Sequence, residues 1–310
     1  MSAANHRRRF IGAALSLLGL AASKAGQGAP IWKVIGTGGS GSFASTWSTA
    51  GNLLVARGYH VGCGSVSASL AIGGYNGANY LAGAERYDGS AWSAAGNLLV
   101  PRHAHAGSGS ASAALIHGGG NPDPIAASEP YTGTAGVAAG NLSAARRSHA
   151  GSGTASAALA IAGQNRASLL AANESYNGTA WAAAGNLALA RYLHAACGTA
   201  QLALAIAGHN GSLLASTEQS NGNNWSAGGN LSVPRASPAA AGNTDAGLAF
   251  GGYNGQLLTS TEHYSRSVWS AGGNLGIARY LHAGSGSTSA ALTFGGFGAG
   301  GYLISTEKYQ

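Results

Sequence analysis

From Trp47 to the end of the chain, apolar and small residues form short runs that alternate with clusters of Gly, Asn and Ser. The runs are about 5 to 8 residues long, and none repeats its apolar positions at the spacing of a helix. Three dipeptides between runs are typical of tight type I′ hairpins: Asp88-Gly89, Asn177-Gly178 and Asn221-Gly222. The pattern predicts an all-β protein built from short antiparallel strands.

The strand pattern recurs every 44 or 45 residues. Tryptophan marks the period at five of six equivalent positions, with Gly136 at the remaining one: Trp47, Trp92, Trp181, Trp225 and Trp269. An Arg lies ten residues after each position: Arg57, Arg102, Arg146, Arg191, Arg235 and Arg279. A regular period of this length is typical of arrays in which each repeat is one supersecondary unit.

Three further positions complete the repeat. A His follows the Arg by three residues in five repeats, with Pro238 in the other: His60, His105, His149, His194 and His282. An apolar run then ends in Gly-Gly, or in Ala-Gly at Ala162 and Ala207. Each unit closes on Glu-x-Tyr, with Ser220 replacing one Tyr: Glu85, Glu129, Glu174, Glu218, Glu262 and Glu307.

An apolar run ending in a double glycine, then Tyr, Trp and Arg-x-x-His, resembles the kelch-repeat pattern over residues 47–310. The resemblance implies a six-bladed β-propeller with four antiparallel strands per blade, here called a to d from Arg-x-x-His onwards. The last repeat stops before its Trp strand, whereas an extra Trp strand lies at Trp47. We therefore expect this N-terminal strand to complete the last blade and close the ring, which removes open sheet edges.

The N-terminus has the layout of an export signal. Arg7-Arg8-Arg9-Phe10-Ile11 resembles a twin-arginine motif and is followed by an apolar run up to Ala22 and by small residues. That run is shorter than the roughly 20 residues of a membrane span. The sequence predicts a cleaved signal over 1–25, a Gly/Ser-rich lead-in over 26–42, a propeller over 43–310 and a periplasmic or extracellular location in a bacterium, with no membrane span after cleavage.

Composition and charge narrow the function classes. Charged residues make up only 8% of the chain, while apolar residues make up 45% and favour a large packed core. The net charge is +7, but four of the 16 basic residues lie within the first 25 positions, which leaves twelve basic against nine acidic. Because no basic patch remains, we do not expect a nucleic-acid partner.

The repeated charged and histidine positions are predicted to serve the scaffold. The six Arg and six Glu in register indicate one ion pair per blade or per blade junction, since a catalytic site has no reason to occur six times. One His per blade around a wide ring does not place three or four ligands about 2 Å from one point. The sequence therefore predicts no metal and no cofactor.

The two cysteines, Cys63 and Cys197, occupy the same slot of repeats 1 and 4. These repeats face each other across a six-fold ring, which places the two Cα atoms roughly 15 to 20 Å apart. A disulfide needs less than about 7 Å. The sequence predicts two free, buried thiols.

Candidate ligand-binding residues lie where the repeats differ. The b to c loop and the d to a connection should share one face of the disc, and binding residues concentrate on loops held by a rigid scaffold. The candidates follow the Arg or the glycine pair: Tyr59, Tyr75, His103, Arg147, Gln164, Tyr192, His209, Tyr253, Tyr280 and Phe297. Aromatic rings beside amides suit a neutral polyhydroxylated ligand such as a glycan.

Three functions stay open at this point. The first is a non-catalytic binding module for a glycan or a protein, which the low charge and the export signal favour. The second is an enzyme, since the kelch resemblance implies relatives that include copper radical oxidases and sugar mutarotases. Only Asp123, Arg147 and Arg166 are non-repeat charges on the variable face, and no oxidase-like set of Tyr, His and Cys is evident. The third is a purely structural scaffold.

Overall fold

The computed structural model describes residues 45–310, so the predicted export signal and lead-in lie outside the described residues. Every regular element in this range is a β-strand. The strands form six small antiparallel sheets, which are the six blades, and two short two-stranded hairpins. The predicted all-β, six-bladed architecture is confirmed.

Each blade runs from an inner strand a to an outer strand d. Blade 1 consists of Val61–Ser65, Ala68–Ile72, Gly83–Tyr87 and Trp92–Asn97. Blade 2 consists of Ala106–Gly109, Ala114–His117 and Ser128–Tyr131. Blade 3 consists of Ala150–Gly153, Ala158–Ile161, Asn173–Tyr176 and Trp181–Ala184.

The second half of the ring repeats this order. Blade 4 consists of Ala195–Gly198, Ala203–Ile206, Ser216–Ser220 and Trp225–Asn230. Blade 5 consists of Ala239–Gly242, Ala246–Phe250, Thr261–Ser265 and Val268–Ala271. Blade 6 consists of Ala283–Gly286, Ala291–Phe294, Thr306–Tyr309 and Trp47–Ala50. The two hairpins are Gly163–Gln164 with Leu169–Leu170, and Phe297–Gly298 with Gly301–Tyr302.

The N-terminal strand closes the ring as predicted. Trp47 pairs with Tyr309 and Ala50 with Thr306 in an antiparallel register, so the first strand of the chain is strand d of the last blade. The inner strand of blade 1 also contacts the inner strand of blade 6. The ring is therefore continuous, and the two ends of the described chain are held together by a ladder of backbone hydrogen bonds.

Blade 2 departs from the four-strand pattern at the slot where Trp is absent. Its sheet has three strands, and two isolated bridges, Ser128 with Ala139 and Tyr131 with Gly136, stand in place of strand d. In the other blades a large indole packs strand d against the sheet. Gly136 offers no such contact. The backbone here follows the path of strand d but forms only two isolated bridges in place of a continuous ladder of hydrogen bonds.

The core is divided among the six blade interfaces. Six clusters of buried apolar residues each join two neighbouring blades. Strand b supplies most of each cluster; for example, Leu70 and Ile72 of blade 1 and Ile116 of blade 2 are fully buried in one of them. Interdigitated packing of this kind fixes each blade against the next.

The six predicted Arg–Glu ion pairs are present, and both side chains of each are buried. In blade 4, Arg191 donates to Glu218 over 2.7 Å and also to the carbonyl oxygens of Ala207 and Ser216, each over 2.9 Å. Glu218 in turn accepts the backbone N–H of Ala188 over 2.7 Å. Each pair therefore ties the connection that enters a blade to its strands b and c.

The substitutions at the glycine pair and at the His slot are linked through space. A Cβ at Gly73, which has a φ of +62°, would lie 2.8 Å from Cε1 of His105 in the next blade. Where Ala207 replaces this glycine, the next blade has Pro238 instead of His. Where Ala162 replaces it, the next blade keeps its imidazole at His194. Only at Ala207 does the alanine methyl group coincide with the loss of the imidazole in the next blade.

Cys63 and Cys197 are both free and buried, as predicted. They lie on the inner strands of blades 1 and 4 and line the central channel together with glycine and serine residues. Burial raises the pKa of each thiol to about 12. Both side chains therefore remain neutral thiols at physiological pH.

Candidate functional site

The loops that carry the candidate residues meet on one face of the disc, as predicted. In each blade the residue after the repeated Arg forms an antiparallel bridge with the residue after the glycine pair. The six bridges are Gly58–Tyr75, His103–Gly120, Arg147–Gln164, Tyr192–His209, Ala236–Tyr253 and Tyr280–Phe297. In blade 1 the two backbone bonds of this bridge are 2.9 and 2.8 Å long. The bridges hold the variable side chains on a rigid frame.

A ring of left-handed residues surrounds the axis of this face. Two residues after the repeated Arg, each blade has a non-glycine residue with a φ between 51° and 56°: Tyr59, Ala104, Ser148, Leu193, Ser237 and Leu281. The backbone N–H of each donates to the carbonyl oxygen of its equivalent in the preceding blade at five of the six junctions, over 2.7 to 2.9 Å. Such conformations are costly and persist where the surroundings impose them, often at functional sites.

Four residues of this ring, Tyr59, Ala104, Ser148 and Leu193, line an open cleft of about 440 Å³. Six of the ten candidate residues line the cleft together: Tyr59, Tyr75, His103, Arg147, Gln164 and Tyr192. Two further tyrosines, Tyr80 and Tyr302, lie in its wall. The cleft is therefore lined mainly by aromatic rings, with one guanidinium and one amide among them.

The aromatic rings of the cleft are in mutual contact. Tyr80 stacks on His103 with ring centroids 4.6 Å apart and planes only 9° from parallel. Tyr75 lies 5.4 Å from Tyr80 and 5.7 Å from Tyr302, the second contact being edge to face. Tyr59 lies edge-on to His103 at 5.7 Å. These contacts hold the rings in place before any ligand is present.

The other four candidates lie outside the cleft. His209 contacts its wall through an edge-to-face packing on Tyr192 at 5.4 Å. Tyr280 and Phe297 pack on each other at 5.8 Å, and Phe297 continues to Tyr302 at 5.1 Å. Tyr253 packs on Tyr280 at 5.5 Å and is 40% exposed. The aromatic surface therefore extends from the cleft across blade 6 towards blade 5.

Tyr80 and Tyr302 were missed by the comparison of repeats. Both lie five residues before the repeated Glu, a position that holds Pro or Leu in the other four repeats. Each bridges back towards the residue after the glycine pair, Tyr75 in one case and Phe297 in the other. A comparison of this third variable position would have found them, because blades 1 and 6 are neighbours in the ring.

Arg147 gives the cleft its charge. No carboxylate lines the cleft within residues 45–310. Burial raises the pKa of Tyr59, and the nearby Arg147 acts in the opposite direction. Burial also lowers the pKa of His103, and Arg147 lowers it further. Burial and the neighbouring tyrosines raise the pKa of Tyr302 to about 12. At neutral pH the phenols of Tyr59 and Tyr302 and the imidazole of His103 are therefore uncharged hydrogen-bonding groups.

The remaining non-repeat charges pair with each other at the edge of this face. Arg166 forms a salt bridge with Asp123, and both side chains are more than half exposed. Arg147 instead donates to the carbonyl oxygen of Pro122 over 3.3 Å. In the part of the chain that the structure describes, no group of three His, Cys, Asp or Glu side chains is placed to hold a metal ion.

Comparisons with known proteins support the fold. No protein-family model and no curated protein matches the chain. The solved structure of YjhT is similar to 83% of this chain and 95% of its own, with 15% sequence identity and a TM-score of 0.70. A likeness at this identity shows the shared propeller fold. Among the described residues, no helix is long and apolar enough to cross a membrane.

Proposed function

We propose that the chain is an exported, kelch-type propeller that binds a neutral carbohydrate in the aromatic cleft without chemical conversion. The observation that carries the proposal is the convergence of nine aromatic or polar loop side chains on one open cleft whose lining includes no carboxylate. The cleft volume of about 440 Å³ falls within the range of small-ligand sites. It has room for one to a few sugar rings.

The chemistry of the lining matches this ligand class. The apolar face of a sugar ring stacks on an aromatic face, while its hydroxyl groups need donors and acceptors at the rim. Tyr59, Tyr75 and Tyr80 offer ring surfaces, and Gln164 and His103 offer hydrogen bonds. Because the rings already support one another, little ordering accompanies binding, and preorganisation favours affinity.

A glycan array probed with the mature chain tests this proposal. We expect binding to one carbohydrate class, and we expect Tyr80→Ala to weaken it by about tenfold or more, since buried aromatic contacts dominate binding energy. Tyr253→Ala is the matched control, because Tyr253 is on the same face but outside the cleft. Binding that survives Tyr80→Ala and is lost in Tyr253→Ala would place the site elsewhere, and absence of any glycan binding would contradict the proposal.

Export of the chain is proposed from its first 25 residues alone. The twin-arginine-like run and the short apolar segment support a cleaved signal. Expression of the full chain in a bacterium should yield a periplasmic protein whose mass lacks roughly these residues, and Arg7→Lys/Arg8→Lys should leave the precursor uncleaved in the cytoplasm. A full-length protein that stays in the cytoplasm without these changes would contradict export.

A further inference from the structure

One of the six blade interfaces lacks the tyrosine that the others share. Five of the six apolar clusters contain the Tyr of the Glu-x-Tyr motif: Tyr87, Tyr131, Tyr176, Tyr264 and Tyr309. The cluster between blades 3 and 4 contains none, because blade 4 has Ser220 at this position. The vacancy lies away from the aromatic cleft, among the a to b and c to d turns of the opposite face.

The vacancy leaves a tryptophan without its aromatic partner. In the register of blade 3, Tyr176 lies opposite Trp181, and their ring centroids are 5.1 Å apart. The corresponding pair in blade 5, Tyr264 and Trp269, is 5.0 Å apart. In blade 4 the residue opposite Trp225 is Ser220. One face of the Trp225 indole is therefore open to the space that a phenol ring fills in its neighbours.

The indole N–H of Trp225 also lacks the acceptor that its equivalents have. The other four tryptophans of the described chain each donate to a Ser or Thr hydroxyl of the preceding blade, over 2.9 to 3.1 Å. The equivalent residue facing Trp225 is Asn173, whose amide is engaged with the backbone of Ala162 and Gly185. Trp225 is thus the one tryptophan in residues 45–310 with no hydrogen bond from its indole.

At the positions that receive the tyrosine hydroxyl in other blades, the vacancy is flanked by a serine hydroxyl and a backbone carbonyl oxygen. Tyr264 donates to Gln219 of the preceding blade over 3.3 Å, and Tyr131 donates to the carbonyl oxygen of Gly96 over 2.6 Å. The residues at these two positions of blade 3 are Ser175 and Gly185. Both line a cleft of about 510 Å³ whose walls also include Ser220 and Trp225.

We propose that this cleft between blades 3 and 4 is a binding site for a phenolic ring. The ring would take the place of the missing tyrosine side chain, lie against the Trp225 indole and direct its hydroxyl towards Ser175. Aromatic pairs of this kind are favourable beyond the area that they bury. Cavities left by a missing side chain can bind a small ring of matching shape. The site is independent of the carbohydrate proposal, since the two clefts share no residue.

Calorimetric titration of the full chain with p-cresol, which is the tyrosine side chain as a free molecule, tests the site. We expect one p-cresol per chain and a rise in Tm on binding, because a ligand that binds only the folded state stabilises it. Ser220→Tyr should abolish this binding and raise the Tm of the free protein, since the covalent ring occupies the place beside the Trp225 indole. Toluene, which lacks the hydroxyl, should bind more weakly than p-cresol.

Ser226→Tyr is the matched control, because residue 226 is exposed on strand d of the same blade and does not line the cleft. This variant adds the same ring and should keep p-cresol binding. Equal affinity of the parent and Ser220→Tyr for p-cresol, or no heat of binding at millimolar p-cresol, would overturn the proposal. N-acetyl-tyrosinamide in place of p-cresol distinguishes the source of the ring: binding as tight as that of p-cresol supports a peptide-borne tyrosine, and exclusion supports a free phenol.

Discussion

Replacing Arg191 by alanine is expected to lower the free energy of unfolding by about 3 to 5 kcal/mol, the usual loss when one partner of a buried ion pair is removed. The variant leaves the Glu218 carboxylate buried, and it also removes the donors to the carbonyl oxygens of Ala207 and Ser216. Urea denaturation followed by circular dichroism measures the change. Because a whole domain is stable by only about 5 to 15 kcal/mol, the shift in midpoint should be large.

Arg166→Ala is the control for this experiment. Its partner Asp123 is also exposed, and exposed pairs contribute about 0 to 1 kcal/mol, so the urea midpoint should hardly move. The double variant Arg191→Met/Glu218→Leu should recover part of the stability, since it leaves no uncompensated buried charge. An Arg191→Ala protein that unfolds at the parent's midpoint would show that the repeated pairs do not stabilise the blades.

Most of the fold could be predicted from the repeat because each position of the repeat has the same physical role in every blade. The Trp position marks strand d of each blade. The chain has an extra d strand at Trp47 and lacks one after Tyr309, so the first strand was expected to pair with the last repeat, as it does. The same reasoning placed Cys63 and Cys197 on opposite inner strands and therefore apart. These predictions depend on the repeat period together with the propeller that the kelch resemblance implies, and need no knowledge of side-chain contacts.

The sites could be predicted only in part because they depend on contacts between blades. Tyr80 and Tyr302 are 222 positions apart in sequence, yet ring closure brings them to one cleft through neighbouring blades. In the sequence, Ser220 is one of several departures from the repeat. Its effect becomes visible only in the structure, where a cleft lies in the place that the tyrosine side chain occupies in the other blades. Likewise, the link between Ala207 and Pro238 lies across a blade interface.

Acid is expected to unfold the protein at a pH well above that at which carboxylates titrate. Six histidines are buried in the neutral form: the five of the His slot and His117. Burial and the neighbouring arginines lower the pKa of His194 and His282 to about 3. Burial likewise lowers the pKa of His60, His105 and His149 well below its ordinary value.

The direction of the pH dependence follows from these shifts. An unfolded histidine titrates near pH 6.5, so between that pH and the lowered pKa the unfolded chain binds protons that the folded chain does not. The stability that these neutral histidines contribute is therefore fully present above about pH 6.5 and is lost as the pH falls towards 3. In this window each such histidine lowers the free energy of unfolding by a little over 1 kcal/mol per pH unit. Six together lower it by roughly 8 kcal/mol per pH unit, which is comparable to the whole stability of a domain.

Urea denaturation at pH 7.5, 6.5 and 5.5 measures this dependence, and we expect the midpoint to fall steeply over the last step. His194→Gln should make the fall shallower by about one sixth, because it removes one of six linked protons. His194 is the suitable position because neither ring nitrogen has a hydrogen-bond partner among residues 45–310, so the variant breaks no such bond. A midpoint that stays constant down to pH 5 would mean that the histidine layer takes up protons without unfolding, and that water reaches these imidazoles in the folded ring.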